Sequence, residues 1–214
     1  MSLVSKLLNQ CSKPSGWLGR VNLWSMNRRH SKVTEWGLKH VLIQNTDTIL
    51  DVGCGGGMTV ARLVAIATQG RVCGIDYAEE SVAASGRINR KGIAAGRVEV
   101  LHGSVSRLPF PGPIFDLVTA VETHYFWPDL NADMQEILRV LKPGGTLIIV
   151  AEAYKGGKYD QMLSKLEQLR GKNNYAHLTV DEHRELFSKA GYSDIQVAEE
   201  YEKGWLYALG RKPK

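Results

Sequence analysis

Residues Thr48-Ile49-Leu50-Asp51-Val52-Gly53-Cys54-Gly55-Gly56-Gly57 carry an apolar run through a single acid into a cluster of glycines. Ile49, Leu50 and Val52 leave no polar face, which suits a strand covered on both sides. Glycines at 53, 55 and 57 let the chain turn sharply and let a ligand approach bare backbone. Met58 to Ala67 then reads as a helix with Val60, Leu63 and Val64 on one face. A strand that ends in glycines and opens a helix is the unit of an open α/β sheet, whose ligands bind at the carboxyl ends of the strands. A dinucleotide site would space its glycines G-x-G-x-x-G, but counting from Gly53 the last place holds Met58. Asp51 would also repel a pyrophosphate; it suits a cationic ligand such as the ammonium of an amino acid.

Outward from this turn, apolar runs go on alternating with helical patterns. Arg71-Val72-Cys73-Gly74-Ile75-Asp76 reads as the second strand and Glu79 to Asn89 as the next helix. Further strands are expected at 97–101, 115–121 and 146–150. Between the last two, Leu130, Met134, Ile137, Leu138 and Leu141 share one side of a helix that Lys142-Pro143-Gly144-Gly145 stops. Past residue 152 the texture changes. Residues 158–168 and 180–190 look helical, and 194–200 and 204–209 look like strands joined by Tyr201-Glu202-Lys203. Strands so close pair as a hairpin. The expected fold is therefore an α/β, Rossmann-like, doubly wound sheet of seven mostly parallel strands with an antiparallel C-terminal edge strand. Residues 1–44 fall outside this pattern and read as a helical lid, not independent of the single domain 45–214.

Composition narrows the function classes. The 214 residues suit one domain, and 43% apolar with 23% charged residues suits a folded chain rather than a disordered one. Cys11, Cys54 and Cys73 have no metal-like spacing and their odd number argues against a disulfide framework. No metal is expected. No secretion signal is read at Met1-Ser2-Leu3-Val4, and no run approaches the roughly 18 apolar residues of a membrane span. A cytoplasmic protein is expected. The net charge of +5 is uneven: residues 1 to 40 carry +6 and the remainder −1. A basic arm can bind nucleic acid, but base-stacking aromatics are not interleaved with it, so a solvated face is the favoured reading.

Four features converge on the carboxyl edge of the sheet. They are the glycine turn; Asp76, placed to hold a ribose diol or, more plainly, to cap the next helix; Leu101-His102-Gly103-Ser104-Val105; and Glu122-Thr123-His124-Tyr125-Phe126-Trp127. In order, Ile49 to Gly57, Gly74-Ile75-Asp76, Leu108-Pro109-Phe110, Phe115-Asp116-Leu117-Val118 and Glu136 to Gly145 resemble the class I S-adenosylmethionine-dependent methyltransferase superfamily. Within it the chain is similar to the branch of small-molecule enzymes that methylate quinone precursors.

The resemblance implies S-adenosylmethionine as cofactor and S-adenosylhomocysteine as product. Asp51, Gly53, Cys54, Gly55 and Gly57 would face its methionine portion, Asp76 its ribose and Tyr77 its adenine, with Gly103, Ser104 and Val105 bordering the adenine edge. Ser104 stands where the family commonly has Asp, a stronger acceptor. Glu122 and His124 are the candidate bases or acceptor-orienting groups, each with a plainer reading as a cofactor contact or a packed polar residue. Met26, His30, Tyr125 and Trp127 are candidates for the acceptor pocket. Trp17, Trp24 and Trp36 suggest an ordered lid. The expected partner is a small-molecule acceptor, for a monomer or homodimer. The alternatives are an RNA or other nucleic-acid methyltransferase, and a non-catalytic S-adenosylmethionine-binding protein.

Overall fold

The computed structural model describes residues 29–152, 154–162, 164–165 and 177–214. The elements run α1 (Ser31–Leu38), β1 (Thr48–Val52), α2 (Met58–Ile66), β2 (Arg71–Asp76), α3 (Glu79–Ile88), α4 (Arg90–Ala94) and β3 (Val98–His102). They continue with β4 (Phe115–Val121), a 3-10 turn (His124–Phe126), α5 (Leu130–Val140), β5 (Leu141–Ala151), α6 (Val180–Lys189), β6 (Ser193–Glu200), a second 3-10 turn (Tyr201–Lys203) and β7 (Trp205–Arg211). Residues 1–28, and with them Met26, lie outside the described residues, as does part of the helix expected at 158–168.

The strands form one sheet in the order β3-β2-β1-β4-β5-β7-β6. The first five are parallel, and β7 runs antiparallel to both β5 and β6. The hairpin lies at the expected end of the sheet, with its antiparallel member one place in from the edge. The residues explain the order. Leu206, Tyr207, Ala208 and Leu209 of β7 are all buried, whereas β6 exposes Asp194, Gln196, Ala198 and Glu199 and suits the solvated rim.

Adjacent residues of the central strands serve opposite faces, as the pleat requires. Leu50, Val118 and Ile149 join a core closed by Met134 and Ile137 of α5 and by Leu186 and Phe187 of α6. Ile49, Leu117 and Ile148 join a second core with Val60 and Leu63 of α2 and Val33 of α1. Two caps fix the helices on the first face. Asp129 accepts from the Asn131 and Ala132 amides, and Thr179 forms a reciprocal capping box with Glu182, each worth about 1 kcal/mol.

Two local expectations change. Lys142-Pro143-Gly144-Gly145 does end α5, but the chain already pairs with β4 at Leu141, and those four residues form an irregularity before pairing resumes at Thr146. The amides of Gly144 and Lys212 lace it to the end of β7. The short helix α4 was not expected, because Arg90-Lys91-Gly92-Ile93-Ala94 is too brief to show a periodicity.

Candidate active site

Strand order reverses between β2-β1 and β4-β5, so the carboxyl ends of β1 and β4 face the crevice where such folds bind ligands. The glycine turn stands there, between β1 and α2. The amides of Gly53 and Cys54 both donate to the Ile75 carbonyl of β2, which folds the turn over the neighbouring strand. Gly53 has φ +71°, and a side-chain carbon on it would collide with Thr123 Oγ1. Gly57, at φ +84°, leads into α2 so close to Ser85 that a side chain would strike the Ser85 backbone. Only glycine meets both demands.

Two acids flank the turn. Asp76, at the end of β2, accepts from the Gly55 amide through Oδ2 and from the Ala78 amide through Oδ1, each at 2.9 Å. It thereby ties the turn to the residue before α3, whose N-cap is Ala78 rather than Asp76. Burial raises its pKa, against the lowering effect of those hydrogen bonds. Asp51 is 2% exposed and pairs across the sheet with Thr119, whose hydroxyl donates to its Oδ1 at 2.6 Å. Its Oδ2 is buried and has no hydrogen-bond partner among the described residues. Desolvation, opposed by Thr119 and assisted by the charge of Asp76, pushes the Asp51 pKa up to about 7. A buried carboxylate oxygen without a donor calls for a cation.

A second group gathers at the ends of β4 and β5. Glu122 has φ +58°, a left-handed conformation that costs an ordinary side chain about 1 kcal/mol. Its amide donates to Val150, its Oε2 accepts from the Tyr125 hydroxyl at 2.6 Å, and its Oε1 accepts from the Glu152 amide. The backbone twist thus folds the carboxylate back over β5. Glu152 accepts from Trp205 Nε1 at 3.1 Å and lies 3.8 Å from His30 Nε2. Burial raises the Glu122 pKa to about 7, with the Tyr125 hydrogen bond pulling the other way; burial and the nearby Arg29 charge lower that of His30 to about 4.

A sequence profile described as a methyltransferase domain matches residues 50–149. The demethylmenaquinone methyltransferase of Geobacillus kaustophilus is 26% identical over 86% of this chain and 87% of its own length. Among solved structures, a Haloferax volcanii methyltransferase in complex with its activator superposes with a TM-score of 0.77 at 23% identity, covering 92% of this chain and 96% of that one. Human N-acetylserotonin methyltransferase, solved with S-adenosylmethionine, gives 0.71 at 17% identity over 90% of this chain and 55% of that one.

Residues 50–149 are an S-adenosylmethionine-dependent methyltransferase domain.

The methyltransferase's own residues fit that cofactor: the donor-less Oδ2 of Asp51 suits its ammonium, and the glycine turn leaves backbone open to its methionine portion. Other candidates fall in different settings. Tyr77 is 41% exposed beside Asp76, and Ser104 Oγ accepts from the Ser106 amide at 3.2 Å next to buried Val105. The Gly103 amide donates to the Asp76 carbonyl, which brings the end of β3 to the same edge. Cys54 turns its side chain into the core under Gly74, so only its backbone is left at the turn. His124 is fully buried, its Nε2 lying 3.1 Å from Nε2 of His183 on α6. His183 Nδ1 lies 2.7 Å from the Thr179 carbonyl and so carries its proton there, which makes His124 the donor between the rings. Trp127 packs into the core that holds Met134 and Ile137. Sequence reasoning missed Thr119, Arg29, His183 and Glu152. The last was within reach, since it directly follows an apolar strand, the rule that singled out Glu122.

A cavity of about 210 Å³ lies at the opposite edge, lined by Thr48, Arg71, Arg97 and Phe110. It is near the amino ends of the strands, remote from these groups.

Proposed function

We propose that this methyltransferase transfers the methyl group of S-adenosylmethionine to a small-molecule acceptor, and that Asp51 and Asp76 hold the donor. The observation that carries the reading is the buried, donor-less Oδ2 of Asp51 beside the glycine turn. In this reading Asp51 accepts from the ammonium, the backbone of Gly53 and Gly55 lies along the methionine portion, and Asp76 accepts from the ribose hydroxyls through its remaining lone pairs. Tyr77 lies against the adenine, with Gly103, Ser104 and Val105 at its edge. The cofactor supplies an already activated methyl on a sulfonium, so the protein's task is to align the acceptor and exclude water.

Glu122 is the group we assign to the acceptor side. It stands at the end of β4 with its carboxylate oriented by Tyr125, where it can fix or accept a proton from an acceptor. His124 is read as a packing residue, because its ring is turned onto His183 inside the core. The likeness to demethylmenaquinone methyltransferases supports a quinone-type acceptor as the first to test. The reading places the enzyme in the cytoplasm as a monomer or homodimer, with residues 1–44 as a lid on domain 45–214; among the described residues no helix is long and apolar enough to cross a membrane.

Isothermal titration should show one S-adenosylmethionine or S-adenosylhomocysteine per chain, with a Kd on the order of micromolar. Asp76→Ala should weaken it at least about tenfold, the loss of a hydrogen-bonded ionic partner, with an unchanged circular dichroism spectrum. Absence of binding to the wild type would overturn the reading.

A further inference from the structure

Three groups that the sequence keeps far apart meet at the ends of β4 and β5. One nitrogen or oxygen each from His30, Glu122 and Glu152 lie within 4.8 Å of one another, with His30 Nε2 at 3.8 Å from Glu152 Oε2. We propose that this trio binds a divalent first-row metal ion, such as Mn²⁺ or Zn²⁺, which draws an oxygen-bearing acceptor to the methyl donor.

The donor set carries the choice of ion. One imidazole and two carboxylates offer nitrogen and oxygen without thiolate, which suits borderline ions and disfavours soft ones. Two carboxylates this close and half-buried repel each other, and a divalent ion between them removes that repulsion. The carboxylates are also held in place. The Tyr125 hydroxyl donates to Oε2 of Glu122 and the Glu152 amide to its Oε1, while Trp205 Nε1 donates to Oε1 of Glu152, whose Oε2 lies toward His30. Such hydrogen bonds are what fixes carboxylate ligands at metal centres.

One cation already faces the cluster. The Arg29 guanidinium lies 3.4 Å from His30 Nε2, and its charge favours the ionised forms of both Glu122 and Glu152. Arg29 is exposed, so it can swing aside when an ion takes the imidazole lone pair. The ion and Arg29 are therefore competitors. Glu122 then serves the acceptor through the ion. This last role rests on the methyl-transfer reading, whereas the binding of the ion does not.

The test uses the full chain stripped with chelator and titrated with Mn²⁺ or Zn²⁺, followed by calorimetry and, for Mn²⁺, by electron paramagnetic resonance. One ion per chain should bind with a Kd on the order of micromolar. Glu152→Gln and His30→Ala should each weaken it at least about tenfold and Tyr125→Phe about tenfold, as loss of a ligand or of its support does. Arg29→Ala should bind the ion more tightly. Lack of saturable binding by the wild type, or equal affinity in Glu152→Gln, overturns the proposal. So does Arg29→Ala losing stability without gaining affinity, since Arg29 would then be closing a simple ion-pair cluster. Titration of S-adenosylmethionine into the same samples separates the two readings: donor binding without metal binding defeats the metal site alone, and metal binding without donor binding defeats the methyl-transfer reading alone.

Discussion

On the proposed reading, Asp51 is the residue at which stability and donor binding oppose each other. Its pKa of about 7 in the fold lies above the ordinary carboxylate value, so the unfolded chain gives up this proton first as pH rises. The group costs the fold nothing below pH 4, and stability is lost as pH climbs from there to about 7. Asp51→Asn keeps an oxygen for Thr119 and removes the buried charge. Its Tm should exceed the wild type's by about 2–8 °C at pH 8, from roughly 1–2 kcal/mol, and should match it at pH 4. Differential scanning calorimetry checks this. The same variant should bind S-adenosylmethionine about 100-fold more weakly, a loss of about 3 kcal/mol expected for a buried charge-assisted hydrogen bond. For the wild type, calorimetric affinity should fall as pH drops below about 7, because the ammonium then meets a carboxylic acid. An affinity flat from pH 5.5 to 7.5 would rule out the ammonium role of Asp51.

At the scale of elements, the contact between the 3-10 turn His124–Phe126 and α6 rests on two neutral imidazoles. Burial lowers the pKa of both rings; the neighbouring His183 and His177 add to the effect at His124, while the Thr179 carbonyl and Glu182 offset part of it at His183. A folded pKa below the unfolded 6.5 means that the unfolded state takes up the proton first on acidification. The stability these rings confer is present above pH 6.5 and lost below it, at up to about 1.4 kcal/mol per pH unit for each ring. Asp51 and Glu122 work in the opposite direction, so the comparison must be made between variants. His183→Gln keeps an acceptor for His124 and deletes one titration. Urea denaturation should find it less stable than wild type at pH 7.5, with the difference shrinking by about 1 kcal/mol at pH 5.5. A constant difference would show that the ring is not held neutral.

The whole molecule joins the two sides of the cleft through the packing of α1 on the sheet. Trp36 meets Trp205 at 5.7 Å and Tyr207 at 5.6 Å, and His40 stacks on Tyr207 at 4.1 Å. Trp205 also holds Glu152, so the seat of α1, and of His30 just before it, is built partly by the C-terminal strand. Trp36→Ala should lower Tm by about 4–8 °C, from about 2 kcal/mol of lost packing, and speed limited proteolysis around α1. Acceptor turnover should fall more than donor affinity, which depends on β1 and β2. The same long-range architecture divides what the sequence shows from what it hides. The parallel sheet, the glycine turn and the positions of Asp51, Asp76 and Glu122 near strand ends were legible, because each depends on neighbours close in the chain: strands on apolar runs, and turns on glycines. The placing of β7 inside β6 was not, since it follows from a contest between two strands for the core. Nor was the gathering of His30, Glu122 and Glu152, whose meeting depends on how β4, β5 and α1 pack rather than on any spacing. The sequence by itself determined the glycine turn at the end of β1 and the sheet it belongs to. Only the tertiary structure decided that His124 turns inward to His183, and that Glu152 and Arg29 gather with His30 and Glu122, because burial and charge are properties of the assembled fold.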